Sequence, residues 1–324
     1  MSDRYPTFKV GFLHLYHIMK KLLLIALFLA HSAWADTPLK IVVPFVPGGP
    51  TDIVARTLQK SLSDEIRRPV IVENRPGGAG VIATNSVINS NPRDIEILIT
   101  SSAIILNTFK NPVPFQESQL IPVAYLGSTP FVLVSSKKFG VSTFKQWQDL
   151  DPKRPITYGT SGIGSATHLV TEYFNQQIPK NMTHVPYKGS GQVLPDLISG
   201  NIDFAFLFSV NAVQNINAGK VIPIAVEAGQ RLPELPNVPT FKELGVSDLG
   251  NFSWFMLFAN QTQNTEELAR IQRAIYKILT DPANQDAFKQ TGLEITKSKI
   301  IPQKNFIDHE KRKMARIIKK IDLE

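Results

Sequence analysis

Four short stretches of this sequence carry residue types suited to holding a small anion. The first, Pro47-Gly48-Gly49-Pro50-Thr51-Asp52, follows the apolar run Ile41-Val42-Val43-Pro44-Phe45-Val46 and precedes Ile53, Val54, Leu58 and Leu62 at helical spacing. It therefore reads as a turn between a strand and a helix. The first N–H groups of a helix have no intrahelical partner and sit at the positive end of its dipole, and two glycines let a ligand approach that backbone closely. The turn lacks the G-K-[ST] ending of a nucleotide loop and the spacing of G-x-G-x-x-G, so a carboxylate is expected rather than a phosphate chain. Asp52, in the first helical turn, is expected to cap free N–H groups and not to act as a catalytic acid.

Three further junctions have the same composition. Val72-Glu73-Asn74-Arg75-Pro76-Gly77-Gly78-Ala79-Gly80 joins a strand to a helix, and its glycines are expected to serve backbone geometry. Tyr158-Gly159-Thr160-Ser161-Gly162-Ile163-Gly164-Ser165-Ala166-Thr167-His168 is rich in hydroxyls that can hold a carboxylate without a buried cation. Ser161 with His168 could be read as nucleophile and base, but the G-x-S-x-G pattern and an acidic partner are both missing. His184-Val185-Pro186-Tyr187-Lys188-Gly189-Ser190-Gly191 offers Lys188 as a cation, the N–H groups of Gly189 and Ser190 as donors, and Tyr187 as a wall. No metal is expected: three of the six histidines lie at or before His31, and the others lack carboxylate partners at ligand spacing.

Short apolar runs alternating with amphipathic windows position these turns and predict a parallel α/β sheet. Strands are expected at 40–44, 70–73, 96–100, 156–158, 183–185, 204–208 and 222–226, and helices at 51–66, 79–89, 165–177, 192–199 and 210–217. Two long extended runs, 122–135 and 252–259, bracket the middle of the chain, as expected of two domains joined by a two-stranded hinge. The first domain would comprise 36–135 plus 254–324, the second 136–253. Helices are expected after Asn264, from Asp281-Pro282, and over 306–321. In open α/β sheets ligands bind beyond the carboxyl ends of the strands, so two such sheets facing each other make a clamp for a small anion.

The N-terminus reads Met19-Lys20-Lys21, then an apolar run from Leu22 to Ala30, then Ala33-Trp34-Ala35. That is the order of a secretory signal, and its apolar run is too short to span a bilayer, which takes roughly 20 residues. Residues 1–35 are thus expected to be an extension plus signal peptide, with Met19 the true start and cleavage after Ala35. Their removal takes away Arg4, Lys9, Lys20 and Lys21 against Asp3, so the formal net charge of +8 falls to +5. The absence of cysteine excludes disulfides, thiolate metal sites and a lipidated cysteine. Lys311-Arg312-Lys313 and Lys319-Lys320 alternate with apolar residues, so nucleic acid is not an expected partner.

Taken in order, 43–52 with Ala55-Arg56, 72–80, 158–162 with His168-Leu169, 184–190, Ala218-Gly219-Lys220 and Pro236-Asn237-Val238-Pro239-Thr240 resemble the Bug family. These are the periplasmic solute-binding proteins of tripartite tricarboxylate transporters. The resemblance covers essentially the whole chain after Ala35. It implies a two-domain periplasmic-binding-protein (Venus flytrap) architecture without catalysis, monomeric and needing no cofactor. Such a protein captures a small organic acid in the periplasm and delivers it to a permease of one large and one small membrane subunit. Carried over, the ligand contacts fall at Phe45, Pro47, Gly48, Gly49, Thr51, Asp52, Ser101 and Ser102 in the first domain. In the second they fall at Ser161, Gly162, Ser165, His168, Tyr187, Lys188, Gly189 and Ser190.

Two departures stand out. Pro92-Arg93-Asp94-Ile95-Glu96-Ile97-Leu98 replaces the family's usual P-D-G-Y-T-L-L, and Phe206-Leu207-Phe208-Ser209 places an apolar pair where a small or acidic polar residue is common. Phe208 is therefore counted with the ligand contacts, and an acid with an apolar or aromatic body is expected rather than an amino acid. The alternatives are a sensory module that hands its closed form to a membrane kinase, and a serine hydrolase using Ser161 and His168.

Overall fold

Runs of β-branched and aromatic residues become ten strands among the described residues, divided between two five-stranded sheets. The chain is seen in a computed structural model that describes residues 37–110, 113–246, 249, 254–302 and 305–319, together with Lys20. The expected signal segment lies outside these residues apart from Lys20, as do 252–253 of the second extended run and 320–321 of the last expected helix. Everything below concerns the unit Pro38–Glu324. No described helix is long and apolar enough to cross a membrane.

The first sheet runs β2 (Val70–Asn74), β1 (Leu39–Val43), β3 (Glu96–Ser101), β10 (Trp254–Asn260), β4 (Leu120–Ser128). The second runs β7 (Met182–Pro186), β6 (Ile156–Thr160), β8 (Phe204–Phe208), β5 (Phe131–Ser135), β9 (Ile222–Glu227). In each, parallel strands are followed by an antiparallel strand in fourth place: β10 against β3 and β4, β5 against β8 and β9. Those fourth strands are exchanged between the lobes. The chain leaves the first sheet at the end of β4 and becomes β5 of the second; β10 makes the return.

The expected extended run 122–135 is thus two strands in different sheets, with the crossing at Thr129-Pro130. The expected first domain, carried to 135, includes β5, whose hydrogen bonds all lie in the second sheet. Sequence alone marks both strands as extended and apolar; their partners are remote in the chain.

Helix α1 (Pro50–Ile66) covers the first sheet with Val54, Leu58, Leu62 and Ile66 fully buried. Burying each is worth about 1.5–3 kcal/mol, and together they fix the helix start against β1. The expected helix at 79–89 begins instead at Val81 (α2, Val81–Ile88), because Gly77, Gly78, Ala79 and Gly80 all have positive φ and cannot continue a right-handed helix. Two short helices carry no clear periodic signal in the sequence: α3 (Ala103–Lys110), and α4 (Phe144–Asp149), capped by Thr143.

The second lobe contains α5 (Ala166–Gln177), α6 (Ser190–Ser199) and α7 (Ser209–Asn217). Trp147 packs at 4.7 Å from Phe204 and 5.5 Å from Phe174, and Phe174 at 5.4 Å from Phe206, anchoring β8 beneath α5. The first lobe is completed by α8 (Thr265–Thr280), α9 (Pro282–Gln290) and α10 (Phe306–Ile318). Asn264 caps α8 by accepting the Glu266 and Glu267 N–H groups, and Asp281 caps α9.

Beside the crossing, Ser128 and Glu294 exchange backbone hydrogen bonds of 3.0 and 2.8 Å. A Cβ on Gly127 would lie 2.7 Å from the Glu294 carbonyl oxygen and 2.9 Å from Leu293 Cγ. Gly127→Ala should therefore cost about 1–3 kcal/mol through overpacking. Urea denaturation checks this, and an unchanged midpoint would refute the close packing.

Candidate functional site

Every residue lining the interlobe cavity sits at or just beyond the carboxyl end of a strand. Phe45, Pro50 and Thr51 follow β1, Ser101 ends β3, Ser161 and Ala166 follow β6, Ser190 follows β7, and Phe208 ends β8. The cavity measures about 10 Å³, room for roughly one water molecule. The jaws meet backbone to backbone. A Cβ on Gly191 would stand 2.9 Å from the Pro47 carbonyl oxygen, and one on Gly189 would stand 3.1 Å from Val46 Cγ2 and 3.3 Å from Phe45 Cβ.

The cavity lining contains no charged side chain. Its polar groups are the hydroxyls of Thr51, Ser101, Ser161 and Ser190 and the helix starts behind them. Neither α1 nor α6 has a side-chain cap, since Gly49 and Gly189 occupy the cap positions. Two helix N-termini from opposite lobes thus present uncapped N–H groups and positive dipole ends to one space. Phe45 and Phe208 supply apolar walls. Of the Leu207–Phe208 pair only Phe208 faces the cavity; strand alternation turns Leu207 into the core with Val132, Val134 and Val193.

Asp52 is almost wholly buried and spoken for. Its carboxylate accepts from the Gly48 N–H at 3.0 Å, Arg56 Nε at 2.9 Å and Asn74 Nδ2 at 2.9 Å, while Asn74 Nδ2 also donates to the Phe45 carbonyl at 2.9 Å. Burial pushes this carboxyl up, but the donors and the Arg56 charge outweigh it and hold it below the ordinary value of 3.8. The group thereby ties the 45–49 loop to α1 and to the end of β2.

Of the other expected contacts, Pro47, Gly48, Gly49 and Gly189 form the lips. Ser165 caps α5, accepting the His168 N–H at 3.3 Å, and Ser102 is buried at the start of α3. The Lys188 side chain is exposed; its N–H donates to Gln192 Oε1 at 3.1 Å. Tyr187 donates to Asp196 Oδ2 at 2.6 Å; burial and that carboxylate both push its phenol up. Gly162 lies in the loop between Ser161 and Ser165, its N–H donating to Thr160 Oγ1 at 3.2 Å.

Ser161 and His168 make no dyad. The Ser161 hydroxyl pairs with Thr167 Oγ1 at 3.0 Å, whereas His168 Nδ1 accepts the Gly164 N–H at 3.2 Å. Pro50 and Ala166 line the cavity without being expected from sequence, since neither carries chemistry. The 77–80 loop supports the site from behind, with Gly80 against Pro44 and Arg75 gripping Glu96 through two 2.8 Å bonds.

Two larger grooves, about 410 and 620 Å³, flank the hinge at 227–230 and 292–297. Glu227, Glu234 and Glu294 lie along them, and burial followed by the Glu234 charge pushes the Glu294 carboxyl up. The larger groove is also lined by Lys289 and Lys297, so its charges are mixed, whereas the smaller carries only Glu227 and Glu294 and does not suit an anion.

Because Asp52 has a folded pKa below its unfolded one, its contribution to stability is present above about pH 3.8 and is lost as pH falls through the folded value. Asp52→Asn should cost about 1.5–3 kcal/mol at pH 7 and show a shallower loss of stability below pH 4 than the unaltered chain. Denaturation across pH 3–7 checks both, and parallel curves would refute the role.

The family model described as the tripartite tricarboxylate transporter family receptor matches residues 54–323. Protein BugT of Bordetella pertussis (strain Tohama I) is 29% identical over 295 residues, 88% of this chain and 90% of that protein. The periplasmic binding protein BugD superposes with a TM-score of 0.81 at 26% identity, covering 88% of this chain and 96% of that one. Rpa4515 of R. palustris, solved with adipate, superposes with a TM-score of 0.81 at 25% identity over 89% and 98% of the two chains. This chain belongs to the tripartite tricarboxylate transporter receptor family, whose members are periplasmic solute-binding proteins and not enzymes.

Proposed function

We propose that the protein captures a small organic carboxylate between its lobes and hands the closed form to a membrane transporter of one large and one small subunit. The observation that carries this reading is the pair of uncapped helix N-termini, α1 and α6, facing each other across a cavity whose lining holds hydroxyls and no charge. Such a site stabilises an anion through dipoles and N–H donors. It also holds no fixed carboxylate to receive an ammonium group. Phe45 and Phe208 favour an apolar or aromatic body, so the ligand is an acid of that kind and not an amino acid. The adipate bound to Rpa4515 supports a carboxylate as the class.

The ligand contacts are Phe45, Thr51, Ser101, Ser161, Ser190 and Phe208, with backbone donors at Gly49 and Thr51 and in the 189–191 turn; Pro47 and Pro50 have no N–H, and that of Gly48 is held by Asp52. Binding works by population shift: the cavity seen here has room for about one water molecule, so the lobes part to admit the acid, and a ligand touching both then favours their closure around it. The lobes are 37–128 with 254–319, and 131–249. The chain acts as a monomer, exported through cleavage after Ala35.

In a calorimetric panel, benzoate, phenylacetate and adipate should bind, with aspartate and glutamate at least about tenfold weaker. Tight binding of aspartate with none of these acids would sink the reading. Gly191→Ala places a methyl between the lips, so it should weaken binding about tenfold or more with little change in the unfolding midpoint. Unaltered affinity in that variant would show that lip contact does not serve closure.

A further inference from the structure

Behind the 161–165 loop, three rings from three elements stack in a row. Tyr158 of β6 lies on His184 of β7 at 4.9 Å and 11°, and His184 lies on His168 of α5 at 4.1 Å and 11°. Glu172, one turn further along α5, accepts the Tyr158 hydroxyl and sits 3.9 Å from His168 Nε2. Each imidazole also holds one part of the loop. The Gly164 N–H donates to His168 Nδ1 at 3.2 Å. His184 Nε2 pairs at 2.6 Å with Thr160 Oγ1, which accepts the Gly162 N–H at 3.2 Å. An N–H can only donate, so Nδ1 of His168 is unprotonated in this arrangement and the ring proton lies on Nε2, the side facing Glu172.

We infer that His168 is a positioning residue whose neutral form holds the 161–165 loop in ligand-binding shape, and that mild acid releases the loop. The inference rests on the ligand site proposed above, because His168 acts on the ligand only through Gly164 and Ser161. A second proton on His168 goes to Nδ1, where it meets the Gly164 N–H donor to donor. Of the titratable groups, His184 of β7 stacks on the ring and Glu172 of the same helix faces its Nε2, while Tyr158 of β6 lies on the far face of His184 and bonds Glu172. Glu172 favours a positive charge on His168, while the stacked His184 opposes a second charge on itself. The pair therefore takes up at most one added proton, and on His168 that proton falls on Nδ1, the atom that carries the loop.

The test follows the Gly164 amide by NMR from pH 5 to 8 in the whole mature chain, alongside calorimetry with benzoate and adipate. The amide should move in one step, and His168→Asn, which keeps an acceptor oxygen but cannot titrate, should abolish it. Affinity for the acid should fall about fivefold or more between pH 7.5 and 5.5, and stay within about twofold in His168→Asn. Glu172→Gln, a second variant, should move the step to lower pH by about half a unit or more. An amide that does not move, or a step identical in all three proteins, overturns the inference. A step lost in His168→Asn with no acid bound at any pH supports the loop switch and overturns the ligand reading instead.

Discussion

One buried carboxylate organises the first jaw. Asp52 draws the Gly48 N–H, the Arg56 guanidinium and the Asn74 amide to itself, and Asn74 passes the constraint on to the Phe45 carbonyl. The loop that lines the interlobe cavity thus has its shape set by a group that does not line it. Placing this charge beneath the loop leaves the cavity lining without fixed charge, and the buried, uncapped start of α1 supplies the positive end of a dipole. An acid on the cavity side would repel the carboxylate for which the helix end is suited.

The second jaw reaches the same result without an ion at its centre. Hydroxyls of Ser161, Ser165 and Thr167 bond among themselves, two imidazoles hold the loop from behind, and Gly189 leaves α6 without a side-chain cap. Both jaws therefore use one physical device, the unpaired start of a helix at a strand end, built from different supports. The exchange of β5 and β10 between sheets puts the two devices opposite each other, because each lobe owns a strand delivered by the other.

Much of this is legible in the sequence. The turns at 47–52, 161–165 and 189–191 stand out because glycine and hydroxyl residues interrupt apolar runs, and Phe45, Thr51, Ser161, Ser190 and Phe208 come together at one cavity. What the sequence does not convey is rotation. Tyr187, Lys188 and His168 share those loops, yet they turn to Asp196, to solvent and to the Tyr158–His184 stack, and nothing in residue spacing fixes such choices. Helix α4 is too short for a periodic signal, and β5 belongs to a sheet whose other members lie far along the chain. The close approach of Gly191 to Pro47 is equally silent, since it joins turns from opposite lobes.

At the hinge, Ser209 donates to the Gly292 carbonyl at 3.0 Å and so must accept from Thr129 Oγ1 at 2.6 Å, while its own N–H donates to Pro130 at 2.8 Å. One residue of the second lobe thereby clasps both the crossing strand and the first lobe. A rotation that parts the jaws displaces atoms least at such a fulcrum and most at the lips. The protein is in this sense a lever with a short, hydrogen-bonded inner arm. Were the lobes to turn about Thr129, a small angle there would become ångströms between Gly49 and Gly191, and the stiffness of a few hydroxyl contacts would set the travel of the mouth.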